Sequence, residues 1–194
     1  MHIHQFPVWD LLLHIEDERN RAACVRLLYE NYELFSKADG SVHNHQAWPG
    51  GYYDHIKEVL NIACVLYEPL SVRRRLPFSL GDAVLVLFLH DLEKPWKYER
   101  DAHGRLRHKP EFATKADDHA FRAALIAKYG IVLTPEQRNA LENVEGEFER
   151  YSAYARAMNE LGAFCHMCDV ASARIWHAHP LPSGDPWVGA RRAF

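Results

Sequence analysis

The feature that most constrains the fold is a run of seven apolar residues, Ala83 to Leu89, which has no polar face. Such a segment must be surrounded by other protein, so it predicts an element of the core. The preceding Ser79 and Asp82 have the spacing of a capping box, with Asp in place of Glu, which favours a buried helix. A buried strand is the alternative, but no other segment looks like its partner strand. We therefore predict a helix at the centre of the molecule.

The rest of the chain also carries helical patterns. Apolar residues keep an approximate helical spacing over 18–37 and 52–67, and Pro69 is expected to end the second helix. Further helices are predicted at 9–16, 114–129, 134–146 and 151–176, and an exposed loop at 97–111. Together these patterns predict an all-α bundle of about six or seven helices. We expect one domain over 1–194, with its core at about 43–177, the N-terminal helices of 8–38 packed on it and an irregular tail over 178–194.

Composition limits the functions that such a chain can have. The 194 residues are 48% hydrophobic and 25% charged, which is typical of globular proteins. There are 23 Lys and Arg against 26 Asp and Glu, so a dominant basic surface for duplex DNA is not expected. No apolar run is long enough to span a bilayer, and the N-terminus lacks the pattern of a signal peptide. The sequence predicts a cytoplasmic protein with no membrane partner, whose four Cys are reduced thiols.

Residue types that bind metals stand against apolar helix faces at three places. His55 shares its helix with an apolar face, His90 and Asp91 follow the apolar run, and Asp169 lies inside the last long helix. A carboxylate in such a setting is costly unless it is paired, hydrogen-bonded or bound to a metal. Two imidazoles and two carboxylates match a divalent transition metal with open positions for water and substrate. Any one of these residues alone is more often a hydrogen-bonded core residue.

The order His55, His90-Asp91, Asp169 resembles the signature of the HD-domain metal-dependent phosphohydrolases. The segment Gly50-Gly51-Tyr52-Tyr53-Asp54-His55 is similar to the Gly-Gly-x-x-x-His opening of a branch that includes 3′–5′ exoribonucleases. The segment His90-Asp91-Leu92-Glu93-Lys94 resembles the His-Asp-x-x-Lys of the family, and 169–173 resembles the stretch around its last metal-binding Asp. The resemblance spans about residues 43 to 175.

The resemblance implies an all-α core that binds a divalent transition metal (Mn, Fe, Co, Ni or Zn), which activates a water for attack on phosphorus. Carried over by position, the metal ligands are His55, His90, Asp91 and Asp169. The catalytic candidates are Asp91, Lys94, Glu93 and His119, and the substrate-binding candidates are Lys94, Lys115, His43, His45 and Trp48. Outside these roles, Lys94 would be a surface lysine, the two loop histidines ordinary loop residues, and Trp48 a core or interface aromatic.

Some HD proteins bind a second metal through two further histidines. His119 falls at a plausible first position, but the stretch 143–148 contains no histidine. Glu145 and Glu147 are the alternatives there, with Mg²⁺ as the ion, although such glutamates are more often a solvated helix end. The missing histidine lowers the case for the di-iron oxygenase branch and favours a hydrolytic site.

We therefore expect a phosphohydrolase of a nucleoside mono- or triphosphate, for example a deoxynucleotide such as dATP. The alternatives are a 3′–5′ exonuclease or phosphodiesterase of single-stranded RNA or DNA, with Arg73 to Arg75 along the phosphates, a di-iron oxygenase, and a non-catalytic binding module. Cys165 and Cys168 form a C-x-x-C pattern for which core packing is expected. A homo-oligomer is a further expectation, because Trp187 and Phe194 in the tail could pack against a second chain.

Overall fold

The computed structural model describes residues 6–42, 45–147 and 150–175. Its helices are α1 (Val8–Leu11), α2 (Glu18–Phe35), α3 (Gly51–Arg73), α4 (Leu80–Leu89), α5 (Lys94–Lys97), α6 (Lys115–Tyr129), α7 (Pro135–Asn143) and α8 (Glu160–Ile175). The predicted all-α bundle is confirmed, since six of these helices have nine residues or more and two are single turns. Within the described ranges, none of the helices combines the length and hydrophobicity that crossing a lipid bilayer requires.

Helix α4 is the buried centre of the bundle, as the apolar run predicts. Every residue from Ala83 to Leu89 is buried, and α3, α7 and α8 pack around the helix. The capping box is present: the Ser79 hydroxyl accepts the Asp82 N–H at 3.1 Å, and the Asp82 carboxylate accepts the Ser79 N–H at 2.8 Å. Because α4 is capped and enclosed, its C-terminal end holds the next two residues, His90 and Asp91, in fixed positions.

Two helix boundaries differ most from the sequence prediction. Helix α3 continues through Pro69 to Arg73, because that stretch is exposed and water can hydrogen-bond the backbone carbonyl that proline leaves unpaired. Helix α8 begins at Glu160 rather than near 151. The residues just before it are irregular, because the backbone N–H groups of Ala157 and Met158 donate to the Glu147 carboxylate, both at 2.8 Å, and not to carbonyls of a preceding helical turn.

A short antiparallel hairpin lies where the sequence predicted only an exposed loop. Its strands are β1 (Tyr98–Arg100) and β2 (Leu106–His108), with Tyr98 opposite His108. Both strands are largely exposed and only three residues long, so they leave no clear alternation in the sequence. One guanidinium nitrogen of Arg100 donates to both carboxylate oxygens of Asp39, at 2.9 and 3.1 Å, which ties the hairpin to the loop after α2.

Asn159 caps the N-terminus of α8, the helix that carries Asp169. Its side-chain oxygen accepts the Gly162 N–H at 2.8 Å, and its side-chain amide donates to the Glu136 carbonyl at 2.9 Å. We expect Asn159→Ala to lower the free energy of unfolding by about 1–2 kcal/mol, the usual cost of a lost cap. Urea unfolding measures the change. Asn159→Asp, which keeps the accepting oxygen, should retain most of the stability; equal losses in both variants would contradict the capping role.

Candidate metal centre

Four side chains from three helices converge on one point. His55 comes from α3, His90 and Asp91 from the end of α4, and Asp169 from α8. The two Nε2 atoms of His55 and His90 lie 3.2 Å apart. The Asp169 Oδ1 lies 3.2 Å from His55 Nε2 and 3.6 Å from His90 Nε2, and Asp91 Oδ2 lies 3.4 and 3.3 Å from the same two atoms.

Hydrogen bonds on the far side of each imidazole fix which ring nitrogen carries the proton. His90 Nδ1 lies 2.7 Å from the Leu87 carbonyl oxygen, which can only accept, so Nδ1 is the protonated nitrogen. His55 Nδ1 lies 3.0 Å from the Ser172 hydroxyl, and this hydroxyl donates its own proton to Glu58 at 2.7 Å. His55 Nδ1 is therefore a donor as well. In the neutral rings both Nε2 atoms carry lone pairs, and a cation between them would satisfy both.

The spacing of these atoms suits a metal ion. A metal bound at about 2.1 Å separates neighbouring ligand atoms by about 3.0 Å at right angles and about 3.4 Å in a tetrahedron. The measured separations of 3.2–3.6 Å fall in or near that range. His55, His90 and Asp169 could thus hold a metal ion, and Asp91 offers a further oxygen to it. The side chains of His55 and His90 are fully buried, as stable metal ligands usually are.

The charges of the site are strongly coupled. Burial alone would lower the pKa of His90, but the carboxylates of Asp91 and Asp169 raise it to about 10. Burial dominates at His55 and lowers its pKa. Burial acts to raise the pKa values of the two carboxyls, but the imidazoles, and Lys94 at Asp91, hold both well below their usual range. Without a metal, the proton on His90 and the ammonium of Lys94 are the positive charges that face the two carboxylates.

Metal binding is therefore expected to release about one proton per site near pH 7.5. A metal ligand must offer a lone pair, and in His90 that is the lone pair of Nε2. In the metal-free protein this nitrogen carries a proton, because the carboxylates raise the pKa of His90 to about 10. The apparent affinity should accordingly rise with pH until that pKa is passed. Titration calorimetry with Mn²⁺ in buffers of different ionisation enthalpy measures the released proton. Binding enthalpies that do not vary with the buffer would contradict the expectation.

A cleft of about 850 Å³ opens over this cluster. Its floor includes Asp91 and Asp169, and one wall is the β1–β2 hairpin. Residues of both charge signs line it: Asp91, Glu93, Glu145 and Asp169, and Lys94, Lys97, Arg107, Lys115 and Arg174. Lys94 Nζ lies 2.5 Å from Asp91 Oδ2. Burial acts against the charge of Lys94, but Asp91 raises its pKa, so an ammonium stands beside the cluster.

A second group of carboxylates adjoins the first. Oxygen atoms of Asp91, Glu93 and Glu145 lie within 4.8 Å of one another, and the Lys115 ammonium forms an ion pair with Glu145. Burial, with the charge of Asp91 next, raises the pKa of the Glu93 carboxyl to about 7. These oxygens are of the type that Mg²⁺ binds, but the Lys94 and Lys115 ammonium groups already contact the group.

The other residues predicted for a second metal lie elsewhere. His119 is on the exposed side of α6 and lines a neighbouring cleft of about 720 Å³ together with Glu145 and Glu147. One carboxylate oxygen of Glu147 accepts both backbone N–H groups described above, which favours a structural role, and the metal-ligand role stays a prediction. Helix α6 contributes Arg122 instead, which is buried and donates to the His90 carbonyl oxygen.

Only some of the predicted substrate-binding residues line the cleft. His45, Lys94 and Lys115 line the cleft over the cluster, and His43 lies outside the described residues. Trp48 is only 4% exposed, and its indole N–H donates to Asp54 at 2.8 Å. In this structure the ring is buried in the core, the alternative given for Trp48, and its face is not open to a nucleotide base.

The sequence analysis missed the buried groups behind the ligands, Gln46, Glu58 and Ser172. Gln46 and Ser172 are fully buried and Glu58 is 3% exposed. The available signals were the spacings: Glu58 follows His55 by three residues and Ser172 follows Asp169 by three, so each pair shares one helix face. Gln46 lies in a loop and leaves no periodic signal. The two residues of the C-x-x-C pattern, Cys165 and Cys168, are packed in the core, as expected.

Comparisons with known proteins do not place the chain in a family. The chain matches no family model, no curated protein and no solved structure.

Proposed function

We propose that this chain is a metal-dependent phosphohydrolase that acts on a nucleotide. The observation that carries the proposal is the convergence of two imidazole Nε2 atoms and two carboxylate oxygens at the floor of the cleft, with the Lys94 ammonium beside them. The order of these residues along the chain resembles the HD-domain phosphohydrolases, which is the basis for choosing phosphate chemistry among the reactions of such centres.

The donor set favours a transition metal. Imidazole nitrogens combined with carboxylate oxygens suit Mn²⁺, Fe²⁺, Co²⁺, Ni²⁺ and Zn²⁺. His55, His90, Asp91 and Asp169 would hold the ion. A bound ion of this kind polarises a phosphoryl oxygen and lowers the pKa of a bound water.

The cleft supplies the binding groups for an anionic substrate. Lys94 stays protonated beside Asp91 and would bind a phosphate oxygen, with Lys115 further along the same wall. A volume of about 850 Å³ lies within the usual range for small-molecule sites, and a nucleotide fits it. The Glu93 carboxylate also lines the cleft, within 4.8 Å of Asp91, and is our candidate acceptor for the proton of the attacking water.

A phosphate-release screen with metal-reconstituted protein tests the proposal. It covers ribo- and deoxynucleoside mono-, di- and triphosphates and a short single-stranded oligonucleotide, with His90→Ala as the inactive control. Release from a free nucleotide that is lost in the variant supports the proposal and identifies the substrate. Activity on the oligonucleotide alone would replace it with an exonuclease. Tightly bound iron with oxygen consumption and no phosphate release would replace it with an oxygenase.

A further inference from the structure

The loop before α3 buries a glutamine in an uncommon backbone conformation. Gln46 has a φ of 43°, and among the described residues it is the only non-glycine residue with a positive φ. Its side chain is fully buried, and its carbonyl oxygen accepts the N–H groups of Gly40 at 3.1 Å and Trp48 at 2.9 Å. Strained residues of this kind persist where the surrounding structure enforces them, and they cluster at functional sites.

The amide of Gln46 joins two histidines to one buried carboxylate. Its Nε2 lies 3.0 Å from Glu58 Oε2 and 3.2 Å from the Ser172 hydroxyl. Its Oε1 lies 2.7 Å from Nδ1 of His45. Since Ser172 also receives the Nδ1 proton of His55, both imidazoles are connected through this amide and this hydroxyl to Glu58.

The direction of each hydrogen bond follows from the carboxylate. An ionised Glu58 only accepts, so the NH₂ end of the Gln46 amide must face it. The oxygen end then faces His45 and accepts its Nδ1 proton. The remaining ring nitrogen, Nε2 of His45, carries the lone pair. No described residue hydrogen-bonds that nitrogen, and His45 lines the cleft with its ring centroid 5.0 Å from that of His55.

We propose that Gln46 is a positioning residue that sets the tautomer of His45 and supports the tautomer of His55. Through His45 it presents a hydrogen-bond acceptor to the cleft, suited to a sugar hydroxyl or a water. Through Ser172 it supports the tautomer that leaves Nε2 of His55 open to the metal. The proposal rests on the metal centre of the proposed function and does not depend on which bond is hydrolysed.

Ring ¹⁵N NMR of the histidines tests this directly, because protonated and unprotonated ring nitrogens have very different chemical shifts. In the wild-type protein with Zn²⁺ bound, we expect His45 with a protonated Nδ1 and an unprotonated Nε2. Gln46→Met keeps the length of the side chain but loses the amide. We expect His45 to lose its fixed tautomer in this variant, and the Zn²⁺ affinity to fall about tenfold, the low end for groups that support metal ligands.

Gln137→Met is the matched control. Gln137 is also a buried glutamine, with its amide donating to Asp82 at 2.7 Å and accepting the Thr134 N–H at 2.9 Å, at the start of α7. Its replacement removes a similar number of hydrogen bonds away from the cluster. The His45 tautomer and the Zn²⁺ affinity should therefore keep their wild-type values in this variant.

Two results would overturn the proposal. One is a wild-type His45 that is protonated at Nε2, which needs no variant to establish. The other is a Gln46→Met protein with the wild-type tautomer and Zn²⁺ affinity. If Gln46→Met does not fold, Gln46→Glu replaces it: its ionised carboxylate can still accept the His45 Nδ1 proton but cannot donate to Glu58 or Ser172. We then expect the His45 tautomer to be kept and the Zn²⁺ affinity to fall, and a wild-type affinity would overturn the proposal. A protein that shows the expected tautomers and hydrolyses no phosphate would refute the proposed function and leave this inference standing.

Discussion

His90→Ala is expected to abolish tight metal binding and, with it, the proposed hydrolysis. The change removes one of the two imidazoles whose Nε2 atoms lie 3.2 Å apart. A metal held there would supply the activated water, so we expect any phosphate release to fall on the order of 10³-fold or more in the variant. In the wild-type protein, metal at about 100 times its Kd should add about 2.7 kcal/mol of stability. For a domain of this size that raises the Tm by about 5–11 °C, and the variant should show no such rise.

Differential scanning fluorimetry with and without metal measures the shift, and metal analysis after dialysis measures the occupancy. His166→Ala is the control, because His166 lies on the same helix as Asp169 but donates to the Val144 carbonyl at 2.7 Å. This variant should keep the metal-dependent rise in Tm. Wild-type metal affinity in His90→Ala would show that the four-residue centre is wrongly assigned.

Gly51→Ala is expected to lower the free energy of unfolding by about 3 kcal/mol or more. A Cβ at Gly51 would lie 1.9 Å from the carbonyl oxygen of Gln46 and 2.8 Å from its carbonyl carbon. Both atoms belong to the backbone of a buried loop, so neither can rotate away. The clash would move Gln46 or the start of α3, and the metal affinity should fall together with the stability.

Urea unfolding of the metal-free protein measures this loss. Gly104→Ala is the control, since a Cβ there meets no atom within 4 Å and only its positive φ of 76° opposes the change, at about 1 kcal/mol. A loss for Gly51→Ala no larger than that of the control would contradict the close approach between Gly51 and Gln46.

The sequence predicts those parts of the fold whose signals are local. The capping box of Ser79 and Asp82 and the buried helix that follows it are formed as predicted. The prediction failed where the outcome depends on distant parts of the chain. The start of α8 is set partly by Asn139, whose side-chain oxygen accepts the Asn159 N–H at 2.9 Å across 20 residues. A bond between residues so far apart in the sequence cannot be predicted from the local periodicity of apolar residues.

In the candidate site, too, the ligand residues could be predicted from the sequence and the groups that support them could not. Ligand-type residues on apolar helix faces, together with the order of the motifs, were enough to select the four residues that converge. The hydrogen bonds from Gln46 to Glu58 and Ser172 could not be predicted, because they join a loop to two helices over separations of 12 and 126 residues. The role of Trp48 stayed open between ligand stacking and the core, since an aromatic residue in a loop does not reveal whether it faces solvent or the core.

Because the ligand residues lie on α3, at the end of α4 and on α8, they leave the ribosome at different times during synthesis. A nascent chain that has emerged as far as α4 carries His55, His90 and Asp91. It lacks Asp169, and it also lacks Ser172, whose hydroxyl fixes the His55 tautomer. The complete centre therefore exists only after α8 has left the ribosome and packed against α3. A metal held by all four residues would therefore be incorporated late, after most of the chain has been synthesised.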